Sequence, residues 1–283
     1  MSRRQRSVRP PARRYEVTPR DREIVHAVAR MSLATTDQIV RLFFSDQSTA
    51  SRRLAKLVAL RLLDVKVCGQ TDPNIYTVGA KGRALLEEDE VDALEIHRGK
   101  VGRHLDLHLR ALNDFRVELV RGARDRPDVR LELFRSDLDL RRLAGASVPP
   151  YIPDALVELE VDSGRLALFV EIDTGTEGRS VFASKARWTA EAWRSGSRVW
   201  GIAPGAWRPV VFVPTPGRAR ALSLAICEHD AGDLWLVAET GRLVEVGAFG
   251  PLFATATDVA RTPRRSAITY HAGLAGRPHR MPQ

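Results

Sequence analysis

Residues 151–178 read YIPDALVELEVDSGRLALFVEIDTGTEG. Tyr151 to Val161 alternates, Asp162-Ser163-Gly164 is a turn signal, and an apolar run resumes from Leu166 to Ile172, so the stretch predicts a β-hairpin. With Ser163-Gly164 as a two-residue turn, Asp162 sits opposite Arg165 and Asp154 faces Asp173. Glu171 and Asp173 are two apart on a strand and share one face of the sheet. Opposed positions bring Cβ atoms to about 4.5–5.5 Å, so Asp154, Glu171 and Asp173 are expected to cluster. Three such carboxylates repel one another. A hard divalent cation such as Mg2+, which takes oxygen ligands at about 2.0–2.1 Å, relieves that repulsion, and these three acids are the candidate metal ligands. A solvated acidic edge is the competing interpretation, and Glu158, Glu160 and Asp162 suit it better.

The 283 residues suit two domains. Net charge is +9, unevenly placed: residues 1–83 hold 17 Lys/Arg against 7 Asp/Glu, and the rest 27 against 28. The excess therefore belongs to the N-terminal part, as expected where that part meets a polyanion. Cys68 and Cys227 have no CxxC spacing, which argues against disulfides or structural zinc and suits a reducing cytosol. No apolar stretch approaches the roughly 20 residues that span a bilayer, and arginines from Arg3 to Arg14 interrupt any signal core. A cytoplasmic protein is expected. His104 and His108, at i,i+4 without an HExxH glutamate, read as helix-surface or core residues.

Residues 1–15 are an Arg-rich arm with Pro10-Pro11, expected to be disordered. Thr18-Pro19 opens a helix whose buried stripe is Ile24, Val25, Val28 and Met31. Thr35 or Thr36 caps a second helix. A third follows Ser45-Asp46 and runs to about Leu60. At 100° per residue it turns Ala50, Leu54, Leu57 and Val58 to one face and Ser48, Thr49, Arg52 and Lys56 to the other, with Arg53 at the edge. Short hydroxyls and basic groups, with no acid between Gln47 and Arg61, suit a DNA recognition helix. Asp64 to Cys68 and Asn74 to Val78 read as the strands of a wing, so residues 16–86 are expected to be an all-α-plus-hairpin winged-helix domain.

Residues 87–100 read as an acidic linker. A long amphipathic helix is expected from about Val101 to Arg124, with Glu118 on its exposed surface. Strands follow at Val129–Phe134, Tyr151–Val161, Leu166–Asp173, Val210–Val213 and Leu234–Ala238, with helices at about Gly178–Ser195 and Pro216–His229. That order predicts an α/β domain with a mixed sheet over residues 101–257. Trp188 and Trp193 read as packing residues. Residues 258–283 are expected to be a disordered basic tail.

Lys185 is the only lysine after Lys100 in a chain that prefers arginine. A compact ammonium can neutralise a developing phosphorane charge, which makes Lys185 a candidate catalytic residue with Asp154, Glu171 and Asp173. Asp154, the Glu171-Ile172-Asp173 triplet and a helical Lys185 resemble the PD-(D/E)xK nuclease-like core. With the N-terminal pattern, the layout resembles the replication-relaxation family of plasmid and mobile-element proteins, over about residues 16–240. The run from Glu171 to Glu177 is its best-marked segment. The resemblance implies a winged helix, then a nuclease-like domain, acting on plasmid DNA. Asp173 stands where that motif carries lysine, and Lys185 is the candidate migrated replacement.

Two functions fit. In one, the winged helix holds double-stranded DNA through Ser48, Thr49, Arg52, Arg53 and Lys56 while the acids position Mg2+ for phosphodiester cleavage. In the other, a non-catalytic DNA-binding accessory or transcriptional regulator docks a relaxase or replication proteins.

Overall fold

The computed structural model describes residues 16–67, 72–88, 103–145, 150–162, 164–263 and 268–269, without the side chains of 88 and 103–106. The expected arm at 1–15, most of the expected linker, the turn of the expected wing and nearly all of 264–283 lie outside the described residues.

The N-terminal half begins with α1 (Pro19–Arg30). Thr18 and Asp21 form a reciprocal capping box there, with Pro19 at the first turn. A short β1 (Ala34–Thr35) leads into α2 (Thr36–Phe43), capped by Thr35 with Gln38. Helix α3 (Gln47–Ala59) is capped by Asp46. The hairpin β2 (Leu63–Lys66) and β3 (Ile75–Val78) joins β1 in a three-stranded sheet of order β1-β3-β2, followed by α4 (Ala80–Glu88). Ile24, Val25, Val28, Ile39, Leu54 and Leu57 are fully buried in one core, as their 3.6-residue spacing dictates.

The C-terminal half is a six-stranded mixed sheet of order β4-β5-β6-β7-β8-β9. Its strands are β4 (Val129–Ser136), β5 (Ala155–Val161), β6 (Gly164–Ile172), β7 (Trp207–Val213), β8 (Leu236–Glu239) and β9 (Ala254–Thr255). Strands β4, β5 and β6 are antiparallel, β6, β7 and β8 are parallel, and β9 is antiparallel to β8. Helices α7 (Arg179–Arg194), α8 (Pro216–Cys227) and α10 (Ala256–Arg261) cover one face. Helix α5 (Arg103–Arg124) and α9 (Thr240–Val246) cover the other, and α6 (Asp137–Ala144) packs on β4 and β5. Parallel β6, β7 and β8 require crossovers, and α7 and α8 supply them.

Two boundaries differ from the expectation. Helix α10 runs into residues 258–283 as far as Arg261, and Val259 and Ile268 join the core, because the apolar side chains of this segment complete the layer over α8. More important, α5 belongs to both halves. Leu112, Phe115 and Leu119 pack under the large sheet, while Val117 enters the N-terminal core. Asn113 Nδ2 donates to the Met31 and Leu33 carbonyls at 3.0 and 2.8 Å, and Gln38 Nε2 donates to the Arg110 carbonyl at 2.9 Å. Arg41 pairs with Asp37, Asp114 and Glu118. Glu118 is thus buried at 5% exposure and held by Arg41 and Arg121, neither on the surface nor in the acidic cluster.

Candidate active site and candidate nucleic-acid face

The hairpin register decides which acids meet. Val161 pairs with Gly164, and Ala155 with Val170. The reversal therefore sits one residue earlier than a Ser163-Gly164 turn requires, with Gly164 at φ +121°, a backbone that a side chain resists. Continued one residue past its last pair, this register sets Asp154 opposite Glu171, not Asp173. Asp154 Oδ2 accepts from the Ile172 amide at 2.7 Å, which fixes it at the carboxyl end of β6.

Lys185, in the second turn of α7, reaches back to that strand end. Its Nζ donates to Glu171 Oε2 at 2.7 Å and to both Glu177 oxygens at 3.0 and 3.1 Å, and lies 4.8 Å from the Phe182 ring centre. Asp154, Glu171 and Lys185 are brought together. Asp173 is not: Arg218 at the start of α8 grips it at 2.6 and 2.9 Å, and Arg218 also donates to the Glu177 carbonyl at 2.6 Å. A guanidinium fork matches one carboxylate in this geometry, so the repulsion expected from Asp173 is relieved by Arg218 rather than by a cation.

His108 of α5 completes the group, its Nε2 2.9 Å from Asp154 Oδ2. The spacing of His104 and His108 gave no signal for this; only the packing of α5 beneath β5 and β6 reveals it. Tyr151 is the other addition. Its buried hydroxyl lies beside the Glu171 carboxylate and interacts with it, short of a well-formed hydrogen bond, and Glu171 Oε1 has no well-formed hydrogen bond among the described residues. An unsatisfied buried polar group costs about 1–3 kcal/mol, more if charged.

Burial pushes the Glu171 carboxyl up to about 8, reinforced by the Asp154 charge and opposed by Lys185. Burial pulls His108 and Lys185 down, but their carboxylate partners outweigh it and both end above their ordinary values. A carboxyl raised in the fold stabilises below its unfolded pKa and loses that contribution as pH rises through its folded value. His108 acts in the same direction. Stability should therefore fall by a few kcal/mol, in order of magnitude, as pH rises from about 5 to about 8. Glu171→Gln should flatten the profile. Urea midpoints across that range check this; an unchanged slope in the variant contradicts it.

The residues suit a hard divalent cation only in part. Among the described residues no three His, Cys, Asp or Glu side chains gather as a ready metal cage. Yet among the described residues the buried Glu171 Oε1 has no well-formed hydrogen bond, and Asp154 Oδ1 takes none. Mg2+ commonly keeps several waters and binds through one or two carboxylates, and that requirement the pair meets.

On α3, Ser48, Thr49, Arg52 and Lys56 are exposed. Arg53 differs: it donates to the fully buried Asp21 at 2.5 and 2.6 Å and to the Thr18 hydroxyl at 2.6 Å. It locks α3 to the start of α1, because a buried carboxylate demands a partner. Arg20, missed in the sequence, joins the exposed set. Its guanidinium lies 5.7 Å from the Phe44 ring centre, and an open groove of about 760 Å³ is lined by Arg20, Phe44, Thr49, Arg52 and Lys56. No helix among the described residues is long and apolar enough to cross a membrane.

The sequence matches the family model described as replication-relaxation over residues 25–203. No curated protein matches the chain. Among solved structures, restriction endonuclease FokI bound to DNA aligns at 12% identity and a TM-score of 0.31, covering 81% of this chain and 44% of that one. The matched region is thus less than half of that protein's length.

Proposed function

This chain belongs to the replication-relaxation family, and from that premise we propose that it binds duplex DNA and carries a divalent-cation-dependent phosphodiester site. The observation that carries the proposal is the trio Asp154, Glu171 and Lys185, with Lys185 Nζ 2.7 Å from a buried carboxylate whose Oε1 lacks a well-formed hydrogen bond among the described residues. A divalent cation held by Asp154 and Glu171 would supply Lewis acidity and a water of lowered pKa. Lys185 holds Glu171 in place and offers its charge to a phosphate oxygen where Glu177, on the more exposed side, now stands. Burial of Glu171 keeps the surrounding dielectric low, which strengthens both effects. Incubation of supercoiled plasmid with Mg2+ or Mn2+ should give nicked circles with the wild type and none with Asp154→Ala.

A second reading has its own support. Asp173 occupies the motif's lysine position and is tied to Arg218, and Lys185 is already engaged by two acids. Those contacts suit a protein that binds DNA without cutting it and docks a relaxase or replication partner. DNA binding with intact plasmid in the same assay selects this reading.

In either case residues 16–86, with helices α1–α3 and the β2–β3 hairpin, serve as a winged helix that lays α3 into the major groove. Arg20, Arg52 and Lys56 contact phosphates, and Ser48 and Thr49 approach base edges. Arg52→Ala with Lys56→Ala should weaken binding and reduce the slope of log K against log salt by about 0.9 per lost contact. Unchanged slope and affinity in a fluorescence titration contradict the assignment.

A further inference from the structure

We infer that His108 is the positioning residue of the carboxylate pair, fixing Asp154 so that one oxygen of each carboxylate stays open to a divalent cation. The inference rests on the cation reading above. Asp154 Oδ2 takes two donors, the Ile172 amide at 2.7 Å and His108 Nε2 at 2.9 Å. Glu171 Oε2 takes Lys185 at 2.7 Å. Among the described residues each acid thus has one oxygen held by the protein and one without a well-formed hydrogen bond, Asp154 Oδ1 and the buried Glu171 Oε1, with the Tyr151 hydroxyl beside the Glu171 carboxylate. The last torsion of an aspartate is broad and roughly two-fold, so the Ile172 amide alone leaves the carboxylate free to pivot. His108 Nε2, a second donor brought by α5, removes that freedom. Partners behind a ligating group typically change metal affinity 10–100-fold when lost.

The helix that delivers His108 is itself held in register. Two residues on, the Arg110 carbonyl accepts from Gln38, and five residues on, Asn113 donates to the Met31 and Leu33 carbonyls. The orientation of Asp154 is therefore set by an element seated on the N-terminal half. The half proposed to hold DNA thus seats the helix whose His108 aims the acid.

The test uses the full chain and Mn2+ as probe, with free Mn2+ read by electron paramagnetic resonance. His108→Ala should weaken binding about 10–100-fold. His108→Gln, whose amide donor reaches the place of Nε2, should recover most of it, and His108→Asn, whose donor is too short, should not. A metal-free readout accompanies it: exchange of the Ile172 amide should speed up in the Ala and Asn variants and slow again with Gln. Wild-type Mn2+ affinity and unchanged Ile172 protection in His108→Ala overturn the inference, as does a folded Gln variant that restores neither. A wild type that takes up no Mn2+ while Ile172 exchange still follows His108 upholds the positioning and overturns the cation reading alone.

Discussion

Replacing Arg41 with alanine should destabilise the protein by about 3–5 kcal/mol, the usual cost of stripping one partner from a buried ion pair. Arg41 is 10% exposed and reaches Asp37 on its own helix and Asp114 and Glu118 on α5. Without it Glu118, at 6% side-chain exposure, keeps among the described residues the pairing with Arg121, which is 43% exposed. Part of the loss should return in Arg41→Ala with Glu118→Gln, because the stranded charge is gone. Urea unfolding of the single and double variants measures both numbers. A loss under about 1 kcal/mol, typical of surface pairs, contradicts the view that α5 is a shared core element. The same packing predicts that proteolysis within residues 89–100 leaves the two fragments associated.

Lys185→Ala should lower any cleavage by about 10²–10³-fold, the cost of removing one preorganised stabiliser of transition-state charge. It should leave Mn2+ affinity undiminished or raised, since the ammonium now occupies Glu171 Oε2. Single-turnover nicking and Mn2+ titration separate the two effects. Equal loss of both makes Lys185 a scaffold for Glu171 and nothing more.

Local chemistry made much of this legible. Thr18-Pro19, Thr35 and Asp46 announced three helices because a capping side chain acts within three residues of itself. The alternation of β5 and β6 announced the hairpin, and the Ser136–Asp139 capping box could have announced α6. The hairpin register was not legible, since Ser163-Gly164 and the observed reversal differ by a single residue, and that shift exchanges Asp173 for Glu171 opposite Asp154. Arg53, at the edge of the polar face, read as a DNA contact because the helix projection cannot see Asp21, 32 residues away, waiting to be paired. His108 and Arg218 were invisible for the same reason: each acquires its role across the fold, from α5 and α8 onto β5 and β6. The charge shift near residue 87 is real, yet it does not mark where the cores part, because the apolar stripe of α5 serves both sides.

Asp154 and Glu171 are expected to form one cation site beside Lys185. Calorimetric titration of Mn2+ into the wild-type protein near pH 7.5 tests it most directly. Uptake should occur at one site per chain, with proton release as Glu171 ionises, and should be lost in Glu171→Gln. A wild type that binds no Mn2+, or a Glu171→Gln protein that binds it equally well, contradicts the account.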